Sequence, residues 1–186
     1  MKNEQTRYVA FLRGINVGGK KLIKMEDLRN VFASAGFRNA RTFIASGNVI
    51  FDAPAATEPA ALVRKIEKKL LKAFGHEITV ILRTIDELKD VVRHDPFKKC
   101  KSARDVMRFV IFLAAEPSNK PKTPMRHASE NFEVLAIVDR TAFILARRKK
   151  TGWFGFPNNF IEKELGLAAT TRNWSTVVKL VAVAQS

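Results

Sequence analysis

Apolar positions along this chain alternate between two rhythms. A continuous apolar run over 8–12 predicts a buried strand. Met25, Leu28, Val31, Phe32 and Ala35 then recur at helical spacing, and Gly36 supplies a stop. Two strands are predicted over 40–45 and 49–52. Ser46, Gly47 and Asn48 between them make a hairpin, since Gly and Asn tolerate positive φ. Thr57 as a cap, Pro59 in the first turn and Gly75 at the end bracket a helix. Its stripe is Leu62, Val63, Ile66, Leu70, Ala73 and Phe74. Residues 78–82 form the next strand. The order βαββαβ is the ferredoxin-like arrangement and places the chain in the α+β class, with a first unit over 1–83.

A second, smaller α/β unit is predicted over 84–186, packed with the first. Thr84 and Glu87 have capping-box spacing ahead of Leu88, Val91 and Val92, and the helix ends before Pro96. A basic connector over 96–105 leads to an apolar strand over 106–113. Pro117, Pro121 and Pro124 mark an irregular loop. Residues 132–138 and 142–146 read as a hairpin turning at 139–141, followed by a helix over 157–165. A last helix is predicted to be capped by Thr171 and to bury Trp174, Val177, Val178 and Val181.

Charge changes this picture. The chain has 186 residues with 33 Lys and Arg against 18 Asp and Glu, a net charge of +15. The excess is +6 over residues 1–50, +2 over 51–100 and +7 over 101–186. Such an excess favours polyanions: nucleic acid, nucleotides, acidic lipid or acidic proteins. No apolar run reaches the roughly 18 residues of a membrane span, and no secretory signal is evident, so no membrane partner is expected. Cys100 is the only cysteine. An intramolecular disulfide is excluded, and the expectation is a cytoplasmic protein.

Three stretches have the composition of a ligand site. The first runs from Arg13 to Lys21 between a strand and a helix. Gly14, Gly19 and Lys20 fit the phosphate-loop spacing G-x-x-x-x-G-K-[ST], but Lys21 stands where the magnesium-ligating hydroxyl is needed. A metal-free anion seat is the remaining ligand reading, using Arg13, Asn16, Lys20, Lys21 and the backbone near Gly14, Gly18 and Gly19. Its rival is a tight structural turn. The second is Arg147, Arg148, Lys149 and Lys150, followed by Trp153, Phe154 and Phe156. Cations beside exposed rings suit single-stranded nucleic acid, with Trp153 as the stacking candidate. The alternative is a charged strand end whose Trp153 and Phe156 fill the core. The third is Thr170 to Trp174 at the predicted helix start, where Arg172 and Asn173 could face an anion.

Enzyme chemistry finds little support. His76, His94 and His127 stand apart without metal-ligand spacing, and Ser46 is not in a nucleophile elbow. Lys98, Lys99 and Lys101 surround Cys100, but no base is identifiable beside it. No catalytic residue, cofactor or metal is assigned.

The stretches 8–20, 42–49 and 169–174, with 159–163, resemble the domain of unknown function 1697 family. The resemblance spans nearly the whole chain. It implies a two-part α/β protein of ferredoxin-like organisation and no activity. Ser175 stands where the family leads us to expect Asn, and 147–156 is more basic and aromatic than expected. The resemblance further suggests that three polar motifs could meet in space.

Three functional expectations follow. One is a basic binding protein for phosphate-rich ligands, nucleic acid first, with contacts from Arg13, Lys20, Lys21 and Arg147 to Lys150. The other is an enzyme or sensor for a phosphate-bearing small molecule such as a nucleotide, joining Arg13, Asn16, Ser46, Asn48, Arg172 and Asn173. A third is a module that docks an acidic protein.

Overall fold

The computed structural model describes residues 4–17, 22–100, 104–152 and 154–185. It mixes helices with antiparallel sheets and divides into two compact units. The first is Met1–Leu88 with Ala182–Ser186, and the second is Lys89–Val181.

In the first unit the order is β1 (Gln5–Leu12), α1 (Met25–Ser34), β2 (Arg38–Phe43), β3 (Asn48–Pro54), α2 (Pro59–Phe74) and β4 (Val80–Thr84). The strands form one antiparallel sheet in the order β2-β3-β1-β4. Strand side chains alternate between faces. Tyr8, Ala10, Leu12, Val49, Phe51, Ala53, Val80 and Leu82 therefore share one face. They join Leu28 and Phe32 of α1 and Leu62, Ile66 and Leu70 of α2 in a single core. Phe51 is central, with its ring centroid 4.6 Å from Phe37, 5.3 Å from Phe32 and 5.7 Å from Tyr8.

The local signals hold in part. Gly75 closes α2 in the left-handed conformation, donating to the Leu71 carbonyl at 2.9 Å. Its N-cap is Glu58, not Thr57, and no side chain caps it; Pro59 already removes one amide that would need a partner. The capping box forms as expected at the start of α3 (Ile85–His94). The Thr84 amide donates to Glu87 Oε2 at 2.7 Å, and the Glu87 amide donates to Thr84 Oγ1 at 3.1 Å. In the β2–β3 turn the positive-φ residues are Ile44 and Gly47, not Asn48. Asn48 begins β3 and closes the turn with its side chain instead.

The far end of this sheet holds a polar network. Arg7 binds Asp52 through two contacts, Nε to Oδ1 at 2.8 Å and Nη2 to Oδ2 at 3.1 Å. Asn39 Nδ2 donates to Oδ2 of Asp52 at 2.7 Å. The hydrogen bond from Arg7, with help from Asn39, holds the Asp52 carboxyl below its ordinary pKa despite burial. Arg7 Nη1 donates to the Ala184 carbonyl at 2.8 Å, and Arg41 Nη2 to that of Val183 at 2.9 Å. Both carbonyls lie in the last turn of α5 (Trp174–Gln185), where no helical amide can reach them.

The second unit contains β5 (Val106–Leu113), β6 (Met125–His127), β7 (Phe132–Val138), β8 (Thr141–Arg147), α4 (Asn158–Leu165) and β9 (Ala169–Asn173). Its antiparallel sheet has the order β6-β7-β8-β5-β9. Ile111, Leu113, Phe132, Val134, Ala142, Ile144 and Ala146 of the sheet bury one face with Ile161 of α4.

Two sequence expectations are corrected here. The proline-rich stretch ends in a short strand, β6, which pairs with β7. Residues 169–173 are a strand and not a helix start. Thr170 and Thr171 are β-branched and complete a ladder with Phe112 and Ile111, and pairing overrides the capping pattern. The Thr171 hydroxyl donates to Asn158 Oδ1 at 3.0 Å instead of capping α5. Val178 is exposed; Val177, Leu180, Val181 and Ala184 are the buried positions of that helix.

Candidate functional site

The residues singled out in the sequence fall in three places. At the loop end of the first unit are Arg13, Gly14, Asn16, Ser46 and Asn48. Gly18, Gly19, Lys20 and Lys21 lie outside the described residues. The polar groups that are described turn inward. Asn16 Nδ2 donates to the carbonyls of Ile23 at 3.0 Å and Ala45 at 2.8 Å. Its Oδ1 accepts from the Ile23 amide at 2.7 Å. A positive φ of 54°, which asparagine tolerates better than most residues, puts its side chain in this place. Asn48 is fully buried, and its Nδ2 donates to the Phe43 carbonyl at 2.9 Å and to Ser46 Oγ at 3.0 Å. Gly47 sits against Ile15: a Cβ on it would lie 2.7 Å from Ile15 Cδ1. Val17, Leu22 and Ile44 beside this node are outward aliphatic side chains, 65%, 77% and 49% exposed. Arg13 is exposed, with its amide donating to the Thr79 carbonyl.

In the second unit, β9 places Arg172 and Asn173 on opposite faces. Arg172 is buried, and its Nη1 donates to Thr170 Oγ1 and to the Thr171 carbonyl, each at 2.8 Å. Burial lowers this guanidinium to a pKa of about 10, so it stays charged at neutral pH. Arg172 is therefore not the helix-start anion contact that its motif suggested. Asn173 is exposed and lines an open cavity of about 290 Å³ with Arg108, Trp174 and Ser175.

The basic stretch at the end of β8 is the third place. The Arg147 amide donates to the Asn131 carbonyl at 2.8 Å, and Asn131 Nδ2 donates to the Arg148 carbonyl at 3.1 Å. Asn131 thus clamps the strand end from two sides. Arg148 is engaged internally: its Nη1 and Nη2 reach the carbonyls of Gly152 and Arg104, each at 3.3 Å. Its Cζ lies 5.2 Å from the Phe154 ring centroid, a cation–π contact. Lys149 Nζ binds Glu130 Oε2 at 2.6 Å, and this hydrogen bond holds the Glu130 carboxyl below its ordinary pKa. Arg147 and Lys150 are exposed. Trp153 lies outside the described residues. Phe156 is 64% exposed, so the core-filling alternative fails for that ring. Gly155 holds the segment in place, because a Cβ there would lie 2.2 Å from the Glu130 carbonyl oxygen.

Sequence reading left open whether Phe156 faces outward and missed Arg126 as a neighbour of Arg147. Arg126 pairs with Glu133 across β6 and β7, with Nε 3.2 Å from Oε1. The only signal for that neighbourhood was the opposite charge of two residues at a spacing a hairpin could join.

Reactive groups are scattered. His94 packs on Phe143, and His127 on Phe132 and Phe160. Cys100 is half-buried, its amide donating to the Phe97 carbonyl and its carbonyl accepting from Arg108 Nη2. Among the described residues no group of three or more His, Cys, Asp or Glu could hold a metal ion. Among them, too, no helix is long and apolar enough to cross a membrane.

Comparison with known proteins places the architecture. No curated protein matches the chain. A solved structure, that of the conserved bacterial protein SP0830 from Streptococcus pneumoniae, has the same fold: TM-score 0.70 at 18% identity, covering 97% of this chain and 99% of that one. Residues 5–143 match the family model described as "Protein of unknown function (DUF1697)", and the chain belongs to that family.

Proposed function

We propose that this is a cytoplasmic binding protein for single-stranded nucleic acid, and that the nucleic acid lies across the C-terminal end of β8 in the second unit. The observation that carries this reading is Phe156, an exposed ring close in sequence to Arg147 and Lys150, on a segment that Gly155 seats against Glu130. An exposed phenyl ring costs solubility and gives a base a surface on which to stack, at roughly 1–3 kcal/mol per base. Arg104, Arg126, Arg147 and Lys150 are exposed cations of the same unit that can follow phosphates. Arg148 and Lys149 shape this strand end and contribute less directly. The net charge of +15 supplies long-range attraction.

Fluorescence anisotropy with a labelled oligothymidylate over a range of salt tests this. Affinity falls steeply with salt, with a log–log slope of roughly −0.7 per phosphate neutralised. Phe156→Ala weakens binding without changing that slope, and duplex of the same length binds less tightly. No detectable complex at low salt removes the proposal.

The cavity beside Asn173 and Arg108 favours a second reading, a sensor or enzyme for a small anionic metabolite. A thermal-shift screen with nucleotides separates the two. A saturable shift by one nucleotide, abolished in Asn173→Ala and without oligonucleotide binding, favours this one.

A further inference from the structure

A cavity of about 250 Å³ opens where β6, β7 and β8 meet in the second unit. Arg126, His127, Asn131, Glu133 and Arg147 line it. We infer that it is a seat for a phosphomonoester, the terminal phosphate of a strand or the phosphate of a free nucleotide.

The charges around the cavity leave a cation over. Arg126 answers Glu133, with 3.2 Å between Nε and Oε1, and 81% of the Arg126 side chain is exposed. The Arg147 side chain forms no hydrogen bond or ion pair among the described residues. An exposed arginine without a partner is common, but this one is held at the wall of a cavity. Its amide is tied to the Asn131 carbonyl, and the amide side chain of Asn131 ties the next residue.

His127 adds a donor. Its Nδ1 accepts from the Glu130 amide at 3.3 Å, so a neutral ring carries its proton on Nε2. A tilted contact with Phe132 at 5.0 Å and an edge-to-face contact with Phe160 at 4.7 Å between ring centroids fix the ring plane. Two guanidinium groups and an imidazole N–H form a donor set suited to a multiply charged oxyanion.

Size and charge select among anions. The cavity lies below the roughly 300–1,000 Å³ of sites for drug-sized ligands, so it takes a group and not a whole cofactor. An internal phosphodiester carries one charge and a sugar on each side. A phosphomonoester carries nearly two charges at neutral pH and a single substituent, so its oxygens can enter while the rest stays outside.

In its strand form the inference rests on the nucleic-acid reading; in its nucleotide form it stands alone. The experiment measures binding of inorganic phosphate, adenosine 5′-monophosphate, adenosine, and oligothymidylate with a 5′-phosphate or a 5′-hydroxyl. Wild type is compared with Arg147→Gln, an exposed change that removes no hydrogen bond of the fold. Phosphate and the monophosphate bind wild type saturably, adenosine does not, and Arg147→Gln weakens binding roughly tenfold or more. The phosphorylated oligonucleotide outcompetes the hydroxyl form, and Arg147→Gln erases that preference. Monophosphate binding without either oligonucleotide identifies a free nucleotide and removes only the strand reading. Equal binding of both oligonucleotides, with no response to phosphate or monophosphate, overturns the seat and leaves the strand reading intact. No binding by any probe overturns both.

Discussion

The loop end of the first unit and the C-terminal end of β8 in the second are built from similar materials: an asparagine at positive φ, a tightly packed glycine and neighbouring cations. They use them in opposite directions. In the first, Asn16 and Asn48 satisfy backbone and hydroxyl groups, and the exposed side chains beside them include Val17, Leu22 and Ile44 as well as Arg13. In the second, Asn131 also serves the backbone, but Arg147 at the end of the strand it clamps and Lys150 just beyond it are exposed, as is Phe156 on the following segment. A polar motif therefore identifies a ligand site only if its groups remain after the fold has used what it needs. By that criterion Asn16 and Asn48 form a structural joint, whereas Arg147, Lys150 and Phe156 of the second region keep their side chains in solvent.

The sharpest way to break the comparison is Gly155→Ala. Its Cβ would meet the Glu130 carbonyl oxygen at a distance no contact tolerates. A loss of about 3 kcal/mol in chemical denaturation is expected, together with loss of oligonucleotide binding. Asp52→Asn comes next, since it extends the inward use of polar groups to the far end of the first sheet. It costs about 2 kcal/mol at neutral pH, because Arg7 loses its carboxylate. The Asp52 pKa is depressed in the folded state, so its contribution is complete above the unfolded value of roughly 3.9. It is lost as pH falls from there through the folded pKa. Urea melts at descending pH should show the gap between wild type and variant closing only in that acid range.

Asn16→Ala is smaller, about 1–2 kcal/mol from three lost hydrogen bonds, partly replaced by water. It lowers Tm and leaves the affinity for single strands unchanged; a large loss of binding would make the first region a ligand site after all. Lys150→Ala has the least effect on folding. Tm stays the same, and the salt slope of oligonucleotide binding changes by about one phosphate contact.

Legibility in the sequence followed the range of the interactions. The βαββαβ order was readable because Leu62, Ile66 and Leu70 recur at helical spacing, and α3 because Thr84 and Glu87 cap within one turn. Those signals act over a few residues. The 169–173 segment was misread because Thr171 looks like a cap locally, whereas its strand state depends on pairing with Ile111, about sixty residues earlier in the chain. β6 was hidden by prolines for the same reason. Among site residues, the basic run from Arg147 to Lys150 was visible, but its division into internal and outward cations was not. Arg148 finds Arg104, and Lys149 finds Glu130, only once β8 is in place.

By itself, then, the sequence determined the class of fold, most elements, the family and the sign of the charge. These depend on composition and on neighbours along the chain. Tertiary structure alone decided that Arg172 is buried, that Asn16 is a joint and that Phe156 faces water. It also gathered Arg126, His127 and Arg147 around one cavity. The physical reason is desolvation. Whether a polar or aromatic side chain meets water or protein depends on what the distant chain lays over it, and no local pattern encodes that.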